Sequence, residues 1–175
     1  MRLILLPGNS KLNKEWIEKL AVNLKEIFDK TYIHYYKHWE TGEEIINIDY
    51  ELERLADYLA KKKGYIIIAK SIGAALAVKG IKEGKIAPKK CIFLGLPVIW
   101  CRQYSINLDS WIKGYSARTL FIQNTEDPVM GADELKDFLN KNNVSNYKFV
   151  KLEGTSHNYE DLDKIKILIK EFIKK

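Results

Sequence analysis

Ser71 stands where an apolar run gives way to helical spacing, in Tyr65-Ile66-Ile67-Ile68-Ala69-Lys70-Ser71-Ile72-Gly73-Ala74. A strand that turns at once into a helix can hold a serine hydroxyl away from the backbone, and so cramped a turn needs small residues two positions to either side, the pattern G-x-S-x-G. Ala69 occupies the first of those positions and Gly73 the second. Serine is also a favoured helix N-cap, so this motif alone carries little weight. Its weight comes from two later residues. Asp127, in Asn124-Thr125-Glu126-Asp127-Pro128-Val129, follows the apolar run 119–123, and His157, in Glu153-Gly154-Thr155-Ser156-His157-Asn158-Tyr159, follows another at 147–152. Serine, acid and histidine in that chain order, each just past an apolar run, suit nucleophilic acyl transfer, with Ser71 attacking, His157 as base and Asp127 orienting the histidine. Glu126 is the neighbouring substitute for the acid, and Asp109 a weaker one.

Acyl transfer also needs donors for the charge that develops on the carbonyl oxygen. The backbone amide of Ile72 supplies one, and the turn Pro7-Gly8-Asn9-Ser10 after the first apolar run supplies the other, from Asn9 or else Ser10, with Gly8 permitting the bend. Gly8, Ser10, Lys70 and Trp100 are the candidate substrate contacts. Lys70 either faces the cleft and attracts an anionic group or points to solvent, and the ordinary behaviour of lysine favours solvent.

The other reactive side chains fit blander roles. His34 and His38 have a spacing that would suit a metal on a helix, but the stretch around them reads as β, so no metal site is expected. Cys91 and Cys101 have neither zinc spacing nor disulfide density and are expected to be reduced thiols. The net charge of +6 is dispersed, with Lys61-Lys62-Lys63 closing a helix, which argues against nucleic acid as a partner. With no apolar stretch of membrane-spanning length and no signal-peptide core, a cytoplasmic location and no membrane partner are expected. No cofactor is expected, the partner is a small acyl substrate, and oligomeric state is not legible.

These residues need a scaffold, and the hydrophobic pattern describes one. Strand-like runs recur at 2–6, 31–36, 65–69, 91–95, 119–123 and 147–152, and most are separated by helical periodicity: a stripe of Leu12, Trp16, Leu20, Leu24 and Phe28, a second of Ile48, Leu52, Leu55 and Leu59 closed by Gly64, then helices near 72–82, 133–140 and 161–174. The expected fold class is α/β, one domain over 1–175, with a doubly wound, mostly parallel six-stranded sheet covered by helices on both faces. Ligands in such sheets bind beyond the carboxyl ends of the strands, where Ser71, Asp127 and His157 all fall. The connection 96–118 is long and holds Trp100, Tyr104, Trp111 and Tyr115, either a small lid or pocket wall or a covering segment whose aromatics simply pack.

Through Pro7-Gly8-Asn9, Ala69-Lys70-Ser71-Ile72-Gly73, Asp127-Pro128-Val129 and Gly154-Thr155-Ser156-His157 the chain resembles the α/β-hydrolase superfamily over almost its whole length, in a compact form lacking the first two strands. Among small members it is similar to the retinoblastoma-binding-protein type of serine hydrolase, which shares the Pro-Gly-Asn turn but often has histidine where Lys70 stands. The resemblance implies a minimal α/β-hydrolase fold and a cofactor-free serine hydrolase acting on small or medium acyl esters. A thioesterase or peptidase-like enzyme with the same triad, and a catalytically silent binding protein, are the alternatives.

Overall fold

A computed structural model describes residues 1–174. In chain order the elements are β1 (Arg2–Leu6), α1 (Asn13–Asn23), β2 (Lys30–Ile33), α2 (His38–Thr41), α3 (Ile48–Leu59), β3 (Tyr65–Lys70), α4 (Ile72–Lys82), β4 (Lys90–Leu94), α5 (Val98–Gln103), α6 (Leu108–Trp111), β5 (Thr119–Asn124), α7 (Ala132–Lys141), β6 (Tyr147–Leu152) and α8 (Leu162–Lys174). The six strands form one sheet in the order β2-β1-β3-β4-β5-β6, every neighbouring pair parallel.

Alternation along the four inner strands, β1, β3, β4 and β5, explains why they read as continuous apolar runs. Ile4, Leu6, Ile67, Ala69, Cys91, Phe93 and Phe121 pack on one face against α3, α4 and α7, while Leu3, Leu5, Ile66, Ile68, Ile92, Leu94 and Ile122 pack on the other against α1 and α8. With both faces covered, neither phase of the two-residue period can be polar. The small side chains of α4, Ala74, Ala75 and Ala77, are fully buried and let it lie close over β3.

Two stretches differ from the sequence expectation. The second strand ends at Ile33 rather than Tyr36, because its only neighbour is β1 and the last pairing is Leu5 with Ile33. The chain then turns back over the sheet end, where Tyr36 donates to the Pro7 carbonyl at 2.8 Å, and His38 and Trp39 begin the short α2, which Gly42 closes at φ 87°. A single helical turn is too short to show periodicity. In 96–118 the chain forms α5 and α6, burying Val98, Cys101, Leu108 and Ile112 against the core, and Asp109 pairs with Arg102 at 2.7 Å, which places it outside the acid's role. Burial pushes the Cys91 and Cys101 thiols up to about 12, so both behave as small core side chains. No helix among the described residues is long and apolar enough to cross a membrane.

Candidate active site

The β3–α4 junction holds Ser71 in a conformation that non-glycine residues rarely adopt, φ 53° and ψ −125°. The turn is fixed from both sides, the Ser71 amide donating to the Leu94 carbonyl at 2.9 Å and the Ser71 carbonyl accepting from Ala74 at 2.8 Å. Gly73 is required there for space: a Cβ on it would stand 2.5 Å from the Leu6 carbonyl oxygen and 2.7 Å from that of Pro7, both main-chain atoms that cannot swing aside. The helix N-terminus thus rests directly on the end of β1. Ala69 is a fully buried sheet residue whose methyl group is part of the core, which is why alanine serves at the first small position.

Asp127 follows β5 and is buried, while Glu126 beside it is exposed. The Asp127 carboxylate accepts from the Val129 amide at 3.0 Å and from the Tyr159 hydroxyl at 2.7 Å, and lies 2.9 and 3.0 Å from His157 Nδ1. Tyr159 is a dependable neutral donor, because burial and the neighbouring carboxylate push its phenol far above the ordinary range. The two loops are joined by Asn124, whose side-chain amide donates to the Ser156 carbonyl at 2.7 Å, and by Thr125, whose hydroxyl donates to the Gly154 carbonyl at 3.2 Å. His157 Nε2 is shielded from solvent and has no hydrogen-bond partner among the described residues, Ser71 included.

The Pro7–Ser10 turn is held by elements that the sequence did not connect with it. The Asn9 carbonyl accepts from His38 Nε2 at 2.9 Å and from the Trp39 indole at 2.6 Å, while its side chain accepts from the Ile46 amide at 2.9 Å and donates to the Glu44 carbonyl at 2.8 Å. With its carbonyl and side chain so engaged, the Asn9 amide makes no backbone hydrogen bond among the described residues. The Ile72 amide opens α4, where the first amides have no partner within the helix. The other imidazole, His34, donates from Nε2 to the Glu51 carboxylate at 2.8 Å, so both histidines serve structure.

A cleft of about 450 Å³ at the carboxyl end of the sheet is lined by Asn9, Ser10, Lys70, Ser71, Trp100 and His157 among others. Gly8 is buried against Asn13, whose side chain would lie 2.8 Å from a Cβ there, and does not line the cleft. Lys70 departs most from expectation: it does not point to solvent. It is 5% exposed, donates from Nζ to Asn13 Oδ1 at 2.8 Å, and lies 4.9 Å from the centre of the Trp16 ring. Burial holds its ammonium down to about 8, partly offset by the charges of Asp127 and Glu160.

Sequence reasoning passed over Gly95 and Tyr159. Gly95, at φ 63°, lies so close under the histidine that a Cβ would be 2.6 Å from His157 Cε1 and 2.8 Å from the Tyr159 ring. A glycine directly after a buried strand, and a tyrosine two places after the histidine, were the available signals.

This sheet and these strand-end loops are the α/β-hydrolase fold. Solved structures match it over nearly the full chain: an α/β serine hydrolase homologue from Coxiella burnetii at 20% identity and TM-score 0.75, covering 98% of this chain and 84% of that one, and an esterase of Pyrococcus furiosus at 15% identity and TM-score 0.75, covering 99% and 82%. The type II thioesterase BorB from the borrelidin biosynthetic cluster matches at 13% identity and TM-score 0.70, covering 98% and 92%. No family profile matches the chain, and no curated protein does.

Proposed function

We propose that the protein is a serine hydrolase that cleaves small or medium acyl esters through Ser71, His157 and Asp127. The observation that carries this reading is the presence, in one cleft, of a strained Ser71 and a histidine whose Nδ1 rests on a buried carboxylate and whose Nε2 has no partner among the described residues. Nδ1–H donates to Asp127, so Nε2 carries the lone pair that accepts the serine proton. Ser71 Oγ forms a bond to the acyl carbon, and the carbonyl oxygen gains negative charge facing the Asn9 and Ile72 amides. Collapse expels the alcohol, which takes the proton from Nε2; water then attacks the acyl-enzyme with the same histidine as base, releasing the acid and restoring Ser71. The modest cleft volume suits a short acyl group, and the esterase and the thioesterase among the structural neighbours are in keeping with acyl chemistry.

The test is intact mass after exposure to a fluorophosphonate, which reports an activated serine without knowledge of the substrate. Wild type is expected to gain one adduct, absent in Ser71→Ala and much slowed in His157→Ala. A folded wild type that gains none would move the catalytically silent reading to first place.

A further inference from the structure

Lys70 is the last residue of β3, so its side chain leaves the sheet on the face opposite Ala69, toward α1. There it meets Asn13 and Trp16, both held in place. The Asn13 side-chain amide donates to the Ser10 carbonyl at 3.0 Å, which turns Oδ1 toward Lys70, and the Trp16 indole donates to the Tyr159 carbonyl at 2.9 Å. Among the described residues the Asn13 contact is the only hydrogen bond that Nζ makes, and no carboxylate of theirs lies within ion-pair distance of it. Buried charges are ordinarily paired, whereas here a neutral amide satisfies one of three donors and the charge has only the Trp16 ring face and more distant carboxylates to offset it. Neither nearby acid supplies the missing anion: Asp127 is engaged by His157, Tyr159 and Val129, and Glu160, on the rim of the same cleft, is exposed and solvated.

We infer that Lys70 is a specificity-determining residue, and that the substrate carries a carboxylate near its scissile ester which enters the cleft and pairs with this ammonium beside Ser71. The inference rests on the hydrolase reading above and names its substrate class. The carboxylate belongs either to the acyl group, making the substrate a half-ester of a dicarboxylic acid, or to the leaving alcohol. A compact ammonium with two uncommitted donors suits one carboxylate, and Trp16 excludes water from one side of the pair.

Two matched pairs of esters test it at neutral pH. In the first, the 4-nitrophenyl monoester of adipic acid is compared with its methyl-capped diester; in the second, 3-carboxyphenyl hexanoate with 3-carbamoylphenyl hexanoate. One pair is expected to show the anionic member ahead by about tenfold or more in kcat/KM. Lys70→Met should bring that ratio to within about twofold, and Lys70→Arg should keep the anionic member ahead. Lys70→Gln replaces Lys70→Met if the latter does not fold by circular dichroism. The inference is overturned if neither pair shows a preference, or if the preference survives Lys70→Met. Turnover and Ser71 labelling that persist in either case leave the hydrolase reading standing. If no ester is turned over and no adduct forms, the hydrolase reading fails by itself. Calorimetric binding of adipate then decides the inference, which requires binding to wild type and at least about tenfold weakening in Lys70→Met, and is overturned by no binding or by equal binding.

Discussion

Asp127→Asn is expected to lower kcat/KM by about 10⁴-fold while the protein stays folded. The wild-type carboxylate accepts from three donors, Val129 N, the Tyr159 hydroxyl and His157 Nδ1. An asparagine keeps one acceptor oxygen. With that oxygen toward Val129, its NH₂ group faces the other two, and the imidazole can then meet it only with an unprotonated Nδ1. The ring proton moves to Nε2, where it removes the lone pair that would take the proton from Ser71. The size and shape of the side chain are unchanged, so the loss belongs to the tautomer and not to packing. Initial rates on the best ester, beside thermal unfolding of both proteins, measure this. A loss smaller than about tenfold in a folded variant would show that Asp127 does not orient the base.

The second large effect is expected at a residue with no chemistry of its own. Gly95→Ala places a methyl carbon 2.6 Å from His157 Cε1 and 2.9 Å from Nδ1 on a backbone at φ 63°. The left-handed conformation costs about 1–2 kcal/mol for alanine, which a folded domain can absorb. The clash is resolved by moving the imidazole, because the glycine itself is tied through its amide to the Ile122 carbonyl at 3.0 Å. Misplacement of a catalytic group by about 1 Å typically costs on the order of 10²-fold, and that loss in kcat/KM is the expected result, with a lowered Tm. Fluorophosphonate labelling should slow in parallel. Wild-type rates in Gly95→Ala would mean that the histidine reaches its working position from elsewhere.

What could be seen in the chain before its structure divides along physical lines. Strands buried on both faces announce themselves as unbroken apolar runs, and Ser71 and Asp127 are recognisable because each follows such a run with a distinct reactive type, while His157 follows the edge strand β6, whose run Lys148 and Lys151 interrupt. The supports of Asn9 are different. His38, Trp39 and Ile46 reach it across 29, 30 and 37 positions of sequence, through a turn of helix too short to be periodic. The histidine pair read as part of a strand because β-branched and aromatic residues dominate the stretch from Thr31 to Tyr36, while the real strand stops at Ile33, the His34 amide making the last bond to β1 at the Leu5 carbonyl. Lys70 was misplaced for a related reason. Lysine is exposed in most settings, and nothing local indicates that α1 will close over the end of β3.

That buried lysine has a thermodynamic consequence. An unfolded chain holds the Lys70 proton with its ordinary affinity, pKa about 10.5, whereas the folded protein binds it with a value of about 8. Below pH 8 both states are protonated and folding bears the full cost of confining the charge, roughly 3 kcal/mol from a shift of this size. Between pH 8 and 10.5 the unfolded chain carries the larger number of protons, so raising the pH through that window favours the folded state, and above it the cost from this group is gone. An anion bound beside Lys70 would draw the folded value back up and narrow the window, and at neutral pH, where the ammonium is charged in both states, it would offset part of the cost that confining that charge imposes on folding.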